Sequence, residues 1–290
     1  MHAFPSDPTG ELRRAALAAL ACPDPAGKCA QVDALWAQAE ALPLDADTPL
    51  ADGAAREPAL AAALAALPGR PPRPRLIEPG RVPQRSPFTP EGHAALVHAI
   101  CHIEFNAINL ALDAVWRFAG MPRTFYLDWL RVAAEEAEHF GLLHAHLQSL
   151  PRAAAPWHYG DFDAHDGLWA MCEKTAGDIT ARMALVPRTL EARGLDATPL
   201  IQAKLRKVGT PEALRAIEIL DTILRDEVGH VAIGNHWYRW LCERQGLEPV
   251  AHYRVLARRH SAPRLKPPFN DEARRRAGFS QAELDFLLGA

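Results

Sequence analysis

The stretch from Thr210 to Gln245, TPEALRAIEILDTILRDEVGHVAIGNHWYRWLCERQ, decides the fold. It opens on a residue able to cap a helix, a proline suited to the first helical position and an acid in the first turn, and then meets no further proline before Gln245. Proline inside a helix removes a hydrogen bond and clashes with the preceding turn, so a breaker-free run of this length reads as one long helix and exceeds any ordinary strand. Thr89-Pro90-Glu91 repeats the same opening, and four proline-free stretches result: 91–121, 123–150, 157–186 and 212–248. Of the 25 prolines, 15 lie in the first 90 residues and only six between Glu91 and Glu248. The pattern predicts an all-α fold with three parts: a four-helix bundle over 91–248, an N-terminal wrapping segment over 1–90, and a C-terminal tail over 249–290 that folds back on the bundle.

Within 1–90, short Ala/Leu-rich helical patterns fall around Glu11–Ala21, Gln31–Leu42 and Glu57–Leu67, followed by a Pro/Arg-rich strap, Gly69–Pro90, that favours an extended course. Gly120-Met121-Pro122 closes the first long helix, and the second ends near Pro151. The third is interrupted by Pro187, Gly194 and Pro199, which predicts a kinked or broken helix reaching about Val208. A short helix starts at Ser280.

Charged residues make up 23% of the 290, with a formal net charge of −3. No basic footprint of the kind phosphate-backbone binding requires is present, which argues against general nucleic-acid binding. The longest purely apolar run, Ala59 to Leu67, is far short of the ~20 residues needed to cross a bilayer, so no membrane span is expected. Arg13-Arg14 followed by Ala15 to Cys22 has the outline of an export signal, but Asp7 and Glu11 precede a minimal apolar core. Five cysteines, an odd number without Cys-x-x-Cys, suggest neither a disulfide framework nor a thiolate zinc site, and the expected location is cytoplasmic.

Carboxylates on apolar helix faces carry the chemistry. At helical spacing, Glu104 is surrounded by Val97, Ile100, Cys101, Ile108, Ala111 and Val115. Glu136 shares its face with Trp129, Val132, Phe140 and Leu143, and His139 stands three residues on; Glu227 shares its face with Leu220, Ile223, Val231 and Tyr238, and His230 again stands at i+3. An isolated carboxylate on a buried face costs several kcal/mol or takes up a proton, so a cationic partner is expected. Two Glu-x-x-His strings are unremarkable by chance in 290 residues, and their position midway along apolar helix faces gives them weight. A Glu plus a Glu-x-x-His from each half makes six ligands, the set that holds two iron or manganese ions. For the carboxylate on the third helix, Glu191, Glu173 and Asp178 compete. Glu191 lies 18 residues before Gly209 and Glu227 lies 16 after Pro211, matching the levels of Glu104 and Glu136 about the Gly120–Pro122 break. Glu173 is the alternative, and Asp178 has polar flanks. The ligand set read from the sequence is therefore Glu104, Glu136, His139, Glu191, Glu227 and His230. The plain alternative is a buried Glu–His hydrogen-bond network without metal.

His98-x-x-x-His102-Ile103-Glu104, Glu136-Ala137-Glu138-His139, Leu190-Glu191-Ala192-Arg193-Gly194-Leu195-Asp196 and Arg225-Asp226-Glu227-Val228-Gly229-His230-Val231-Ala232, with the Lys266-Pro267-Pro268-Phe269-Asn270 tail, resemble a bacterial ferritin-like family described as a domain of unknown function. That family is similar to the ferritin-like di-iron carboxylate superfamily. Glu191-Ala192-Arg193 also resembles the third-helix motif of the tRNA-modifying di-iron hydroxylases. The resemblance implies a four-helix bundle with a dinuclear centre and oxygen chemistry.

The functional expectation is an oxygen-dependent oxidoreductase such as a hydroxylase, holding two Fe ions, with Mn as the other candidate metal. Its substrate would be a small molecule or a modified nucleotide, with an electron donor that the sequence does not name, and the chain would be a monomer or homodimer. Iron storage and a metal-free interaction module are the other readings. His98 and His102 read as surface or supporting residues, because neither shares the stripe of Glu104. Asp113, Asp221, Asp226 and Asn106 could orient the ligating histidines but read more readily as exposed, salt-bridged side chains. Tyr126, Tyr159 and Tyr238 read as packing residues. The runs Arg258-Arg259-His260 and Arg274-Arg275-Arg276 read as solvated helix faces.

Overall fold

A computed structural model describes residues 10–53, 57–153 and 155–289; Asp7 lies outside them. The helices are α1 (Leu12–Ala21), α2 (Pro25–Trp36), α3 (Pro58–Ala65), α4 (Pro90–Arg117), α5 (Arg123–Ser149), α6 (Gly167–Lys174), α7 (Ile179–Leu185), α8 (Ala192–Val208), α9 (Pro211–Gln245), α10 (Pro249–Arg259), α11 (Asp271–Arg276) and α12 (Gln281–Gly289). The fold is all-α. Among the described residues the β pairing is confined to an isolated parallel bridge between Leu76 and Ala164.

The two proline signatures act as read. Thr89 Oγ1 accepts from the Gly92 N–H at 3.1 Å to open α4. Thr210 Oγ1 accepts from the Ala213 N–H at 3.3 Å to open α9. Gly209 and Gly246 end α8 and α9 in the left-handed conformation that glycine adopts without a Cβ clash. One N-terminal boundary is corrected: α2 begins at Pro25, not Gln31, because Asp24 caps it by accepting from the Gly27 N–H and proline takes the first helical position. By length and hydropathy α4 could cross a membrane, but 72% of its most apolar window is buried within the protein.

The chain divides into two compact units. Of the described residues, the first takes 10–53, 57–83, 98–148 and 157–165. In it α1 packs on α2 and α3. Fully buried Arg13 ties α1 to the end of α4, donating to Trp116 O at 2.9 Å and to Asp45 O at 2.7 Å. The Pro-rich strap runs extended beside the 157–165 connection, where the Ile77 N–H donates to Ala164 O at 2.9 Å and the Ala164 N–H to Arg75 O at 3.0 Å. Phe105 of α4 meets Phe140 of α5 at 5.5 Å between ring centres.

The second unit takes 84–97, 149–156 and 166–290. Here α8 lies along α9, α7 packs on α9 and α10, and α11 packs on α8 and α9. The third long segment is broken, as its prolines require. Between α7 and α8, residues Val186–Glu191 form a wide turn with π-type hydrogen bonding. Pro187 has no N–H to give the preceding turn, and the looser ring accommodates the lost bond. Thr189 Oγ1 donates to Ala184 O at 2.7 Å and satisfies a carbonyl beside the break. Pro199 is carried inside α8.

The wide turn presses on α9 at Gly234, where a Cβ would stand 2.6 Å from Pro187 Cβ and 2.7 Å from its Cγ. A rigid ring joined to the backbone cannot swing aside. Gly234→Ala is therefore expected to destabilise by about 1–3 kcal/mol, the cost of overpacking a filled core. Chemical denaturation checks this, and a variant as stable as the wild type would show that the turn yields.

The tail folds onto this unit. Ala273, Ala277, Phe279 and Leu284 join Ala192, Leu195 and Val231 in one buried cluster. Arg274 corrects the sequence reading. It is not solvated but 0% exposed, and it donates to Asp196 Oδ2 at 2.6 Å and Oδ1 at 3.0 Å.

Candidate metal centre

In the first unit, Glu104 projects from α4, and Glu136 and His139 project from α5. One ligand atom of each lies within 4.8 Å of the others, and all three residues are buried. His139 Nδ1 stands 3.3 Å from Glu136 Oε2 and 3.8 Å from Glu104 Oε2. The i, i+3 spacing puts Glu136 and His139 on one face of α5, as the sequence indicates.

Burial and the charge of Glu136 push the Glu104 carboxyl up to about 8, partly offset by His139. Burial alone would lower His139, but the neighbouring carboxylates of Glu104 and Glu136 outweigh this and raise it to about 12. Two carboxyl groups and an imidazole thus share protons in a buried space. Glu104 Oε2 is buried without a hydrogen-bond partner. Two hard oxygen donors and one imidazole suit a divalent ion such as Fe(II) or Mn(II). A cation would replace the shared protons and satisfy that oxygen, so the residues fit the group the sequence implied.

In the second unit, Glu227 and His230 lie three residues apart on α9, both buried, with ligand atoms within 4.8 Å of each other. Glu191 closes the wide turn and is 7% exposed. Gly194, one turn on, lies beside Glu227, where a Cβ would stand 3.8 Å from Glu227 Cδ, in ordinary contact. Neither of the other third-helix carboxylates has this setting: Glu173 is exposed and accepts from Trp169 Nε1 at 3.0 Å, and Asp178 caps α7 by accepting from the Ala181 N–H at 2.9 Å.

Several supporting residues differ from expectation. His98 is 1% exposed and not at the surface; the Gly160 N–H donates to its Nε2 at 2.9 Å. Burial pushes its pKa down to about 4, consistent with a neutral acceptor. His102 is buried as well: its Nδ1 lies 2.7 Å from the Tyr159 hydroxyl, and its Nε2 lies 3.0 Å from both His165 O and Asn106 Nδ2. Tyr159 packs on Phe105 and Phe140 at 5.4 and 5.3 Å, so the histidine-rich connection forms a capping layer on the α4–α5 pair. The Asn106 amide bonds His102, not a ligand. Asp113 is 0% exposed and pairs with Arg117 at 2.7 Å, a salt bridge that is buried instead of exposed. Asp226 pairs with Arg225, and Asp221 accepts from Gln202 at 2.7 Å. Tyr126 and Tyr238 donate to Phe118 O and Pro249 O, which are packing roles. One residue escaped the sequence reading, Arg188, which is 5% exposed inside the wide turn. A lone arginine after proline in the apolar run Leu185-Val186-Pro187 was the available signal.

Residues 21–285 match a family described as "Protein of unknown function (DUF455)". Over 224 residues, 75% of each chain, the sequence is 50% identical to a protein of Haemophilus influenzae (strain ATCC 51907 / DSM 11121 / KW20 / Rd) whose printed name is "Uncharacterized protein". No solved structure matches. The near-complete span of the family match and this identity establish that the chain belongs to the DUF455 family.

Proposed function

We propose that the chain is a ferritin-like dinuclear metal protein in which Glu104, Glu136, His139, Glu191, Glu227 and His230 together hold two ions, iron in the first instance and manganese as the alternative. The observation that supports this reading is a buried Glu–His pair at i, i+3 in each unit, which Glu104 joins in the first, while in the second Glu191 is buried at the end of the wide turn. When bound, a pair of Fe(II) ions supplies the capacity to activate oxygen. The chain's own residues hold the ions, exclude water through the apolar faces around Glu104 and Glu136, and release protons as the ions enter. We propose an oxygen-dependent oxidoreductase acting on a small molecule or a modified nucleotide, with electrons from a separate donor.

Anaerobic loading with Fe(II) followed by desalting is expected to leave about two ions per chain. Glu136→Ala, which removes a ligand, is expected to lower that number. A wild-type protein that retains no metal would leave the metal-free hydrogen-bond network as the reading. Iron storage is separable by size: storage requires a cage, and elution as a monomer or dimer on size-exclusion chromatography excludes it. The segments outside 91–248 favour the oxidoreductase, since a chain built only for a cage needs little beyond the bundle.

A further inference from the structure

We propose that Arg188 is a positioning residue for Glu191: held by the C-terminal tail through Glu283, it sets the wide turn from which that carboxylate is presented. This deepens the dinuclear reading and rests on it.

A wide π-type turn lacks the regular i to i−4 ladder, so side chains must define its shape. Three consecutive residues of this one do. Pro187 is pressed against Gly234 of α9. Thr189 Oγ1 bonds Ala184 O at 2.7 Å and meets the Tyr253 hydroxyl of α10 at 3.0 Å. Between them Arg188 spreads its fork: Nε donates to Asn235 Oδ1 at 2.8 Å, and Nη2 donates to Glu283 Oε1. The guanidinium lies over the rings of Tyr238, Tyr253 and Phe279 at 4.8, 5.2 and 5.2 Å. Glu283 is fixed in turn, accepting from Arg239 at 2.9 Å and from the Ser280 N–H at 2.6 Å, while Asn235 Nδ2 donates to Ala277 O at 2.8 Å. Glu191 follows Arg188 by three residues at the end of the same turn.

A buried ion pair is a poor source of stability, because desolvation offsets most of its attraction, whereas its directional bonds can select one geometry among several. The planar fork of arginine suits that use, and lysine cannot reproduce it. Arg274 supplies the comparison. It is also buried and also anchors the tail, but from α11 it bonds Asp196 and the Ala192 carbonyl, both on α8, and touches none of the residues 186–190 that shape the wide turn. A residue that merely held the tail in place would be interchangeable with it.

The test compares Arg188→Lys, Arg274→Lys and the wild type, as full chains, by anaerobic equilibrium dialysis against Fe(II), with circular dichroism to verify folding. The wild type is expected to hold two ions. Arg188→Lys is expected to weaken one of them by about 10–100-fold, the usual cost of losing a partner that orients a ligand, and so to hold close to one ion per chain at limiting Fe(II). Arg274→Lys is expected to keep both, even where its melting temperature falls. Should Arg188→Lys fail to fold, Glu283→Ala carries the same test, since it removes the acceptor that holds the guanidinium and leaves Arg188 itself in place. Two ions at wild-type affinity in the Arg188 or Glu283 variant, or equal loss in Arg274→Lys, overturns the assignment alone. Fewer than two ions in the wild type sinks the dinuclear reading and the assignment with it.

Discussion

Between pH 8 and pH 6 the affinity of the Glu104–Glu136–His139 group for Fe(II) is expected to fall by about two decades per pH unit, roughly 10⁴-fold over the range. The sign follows from the two raised values. Glu104 holds a proton up to about pH 8 and His139 up to about pH 12, so below pH 8 both protons must leave before a metal can take both ligands. Each displaced proton costs about a factor of ten per pH unit. Above pH 8 only the His139 proton remains, and the slope should ease to about one decade per unit. Competition against a chromophoric chelator across the pH range measures this, and a flat profile over pH 6–8 would show that these residues do not share the ion. Without metal the same shifts weaken the protein as pH rises. The His139 contribution is fully present below the ordinary value of 6.5 and is lost as pH climbs toward 12, while the Glu104 contribution is present below 4.5, is lost as pH climbs toward about 8 and changes no further above it.

Lys28→Ala is expected to destabilise the protein by about 3–5 kcal/mol, because three buried neutral acceptors lose their donor at about 1–3 kcal/mol each, offset in part by no longer burying the ammonium. Lys28 is 0% exposed, and its ammonium donates to Leu20 O at 3.0 Å, to Gly69 O at 2.9 Å and to Asn109 Oδ1, bringing the end of α1, the start of the strap and the middle of α4 to one point. Gly69 is required there, since a Cβ would stand 2.3 Å from Ala21 O. Burial pulls the lysine down to about 7, yet three acceptors and no donor converge on it, an arrangement that an ammonium satisfies and a neutral amine does not. Alanine leaves all three acceptors buried without this donor and also removes the stem from beside Phe105, over whose ring the ammonium lies at 4.9 Å. Lys28→Met restores the stem and should fall between alanine and the wild type. Denaturant midpoints measure the loss, and a Lys28→Ala change below about 1 kcal/mol would mean that water replaces the ammonium.

The helices and the burial of Glu104, Glu136 and His139 were legible because both signals are local. Thr89-Pro90-Glu91 and Thr210-Pro211-Glu212 announce helix starts within three residues, and a glutamate among apolar neighbours at helical spacing needs no knowledge of the partner helix. The choice of Glu191 over Glu173 rested on counting residues back from Gly209, and it agrees with burial because the wide turn interrupts the helix without ending it. What escaped was long-range. Arg274 sits in a run of three arginines that looks solvated, and its burial depends on Asp196, 78 residues away. Arg188 depends on Glu283 at a separation of 95. His98 and His102 lie off the stripe of Glu104 and would be surface residues on an isolated helix; the connection at 157–165 covers them. The α2 start was within reach, since Asp24-Pro25 carries the same grammar as the two openings that were read.

The wide turn also governs how this chain tolerates changes in length. One residue of an α-helix advances the side chains by about 100° around the axis, so a segment that accommodates a looser turn keeps the helices on its two sides in a phase that a regular helix would not give. Substitutions at 186–190 can reshape the turn but leave the number of residues in it unchanged. A one-residue deletion that tightened the turn into regular helix would instead rotate all of α7 against α8, turning its buried face away from α10 while Glu191 kept its place, or the reverse. Length within this segment is therefore constrained as well as residue identity, unlike the surface connections elsewhere in the chain, where a residue gained or lost changes a path and not a phase.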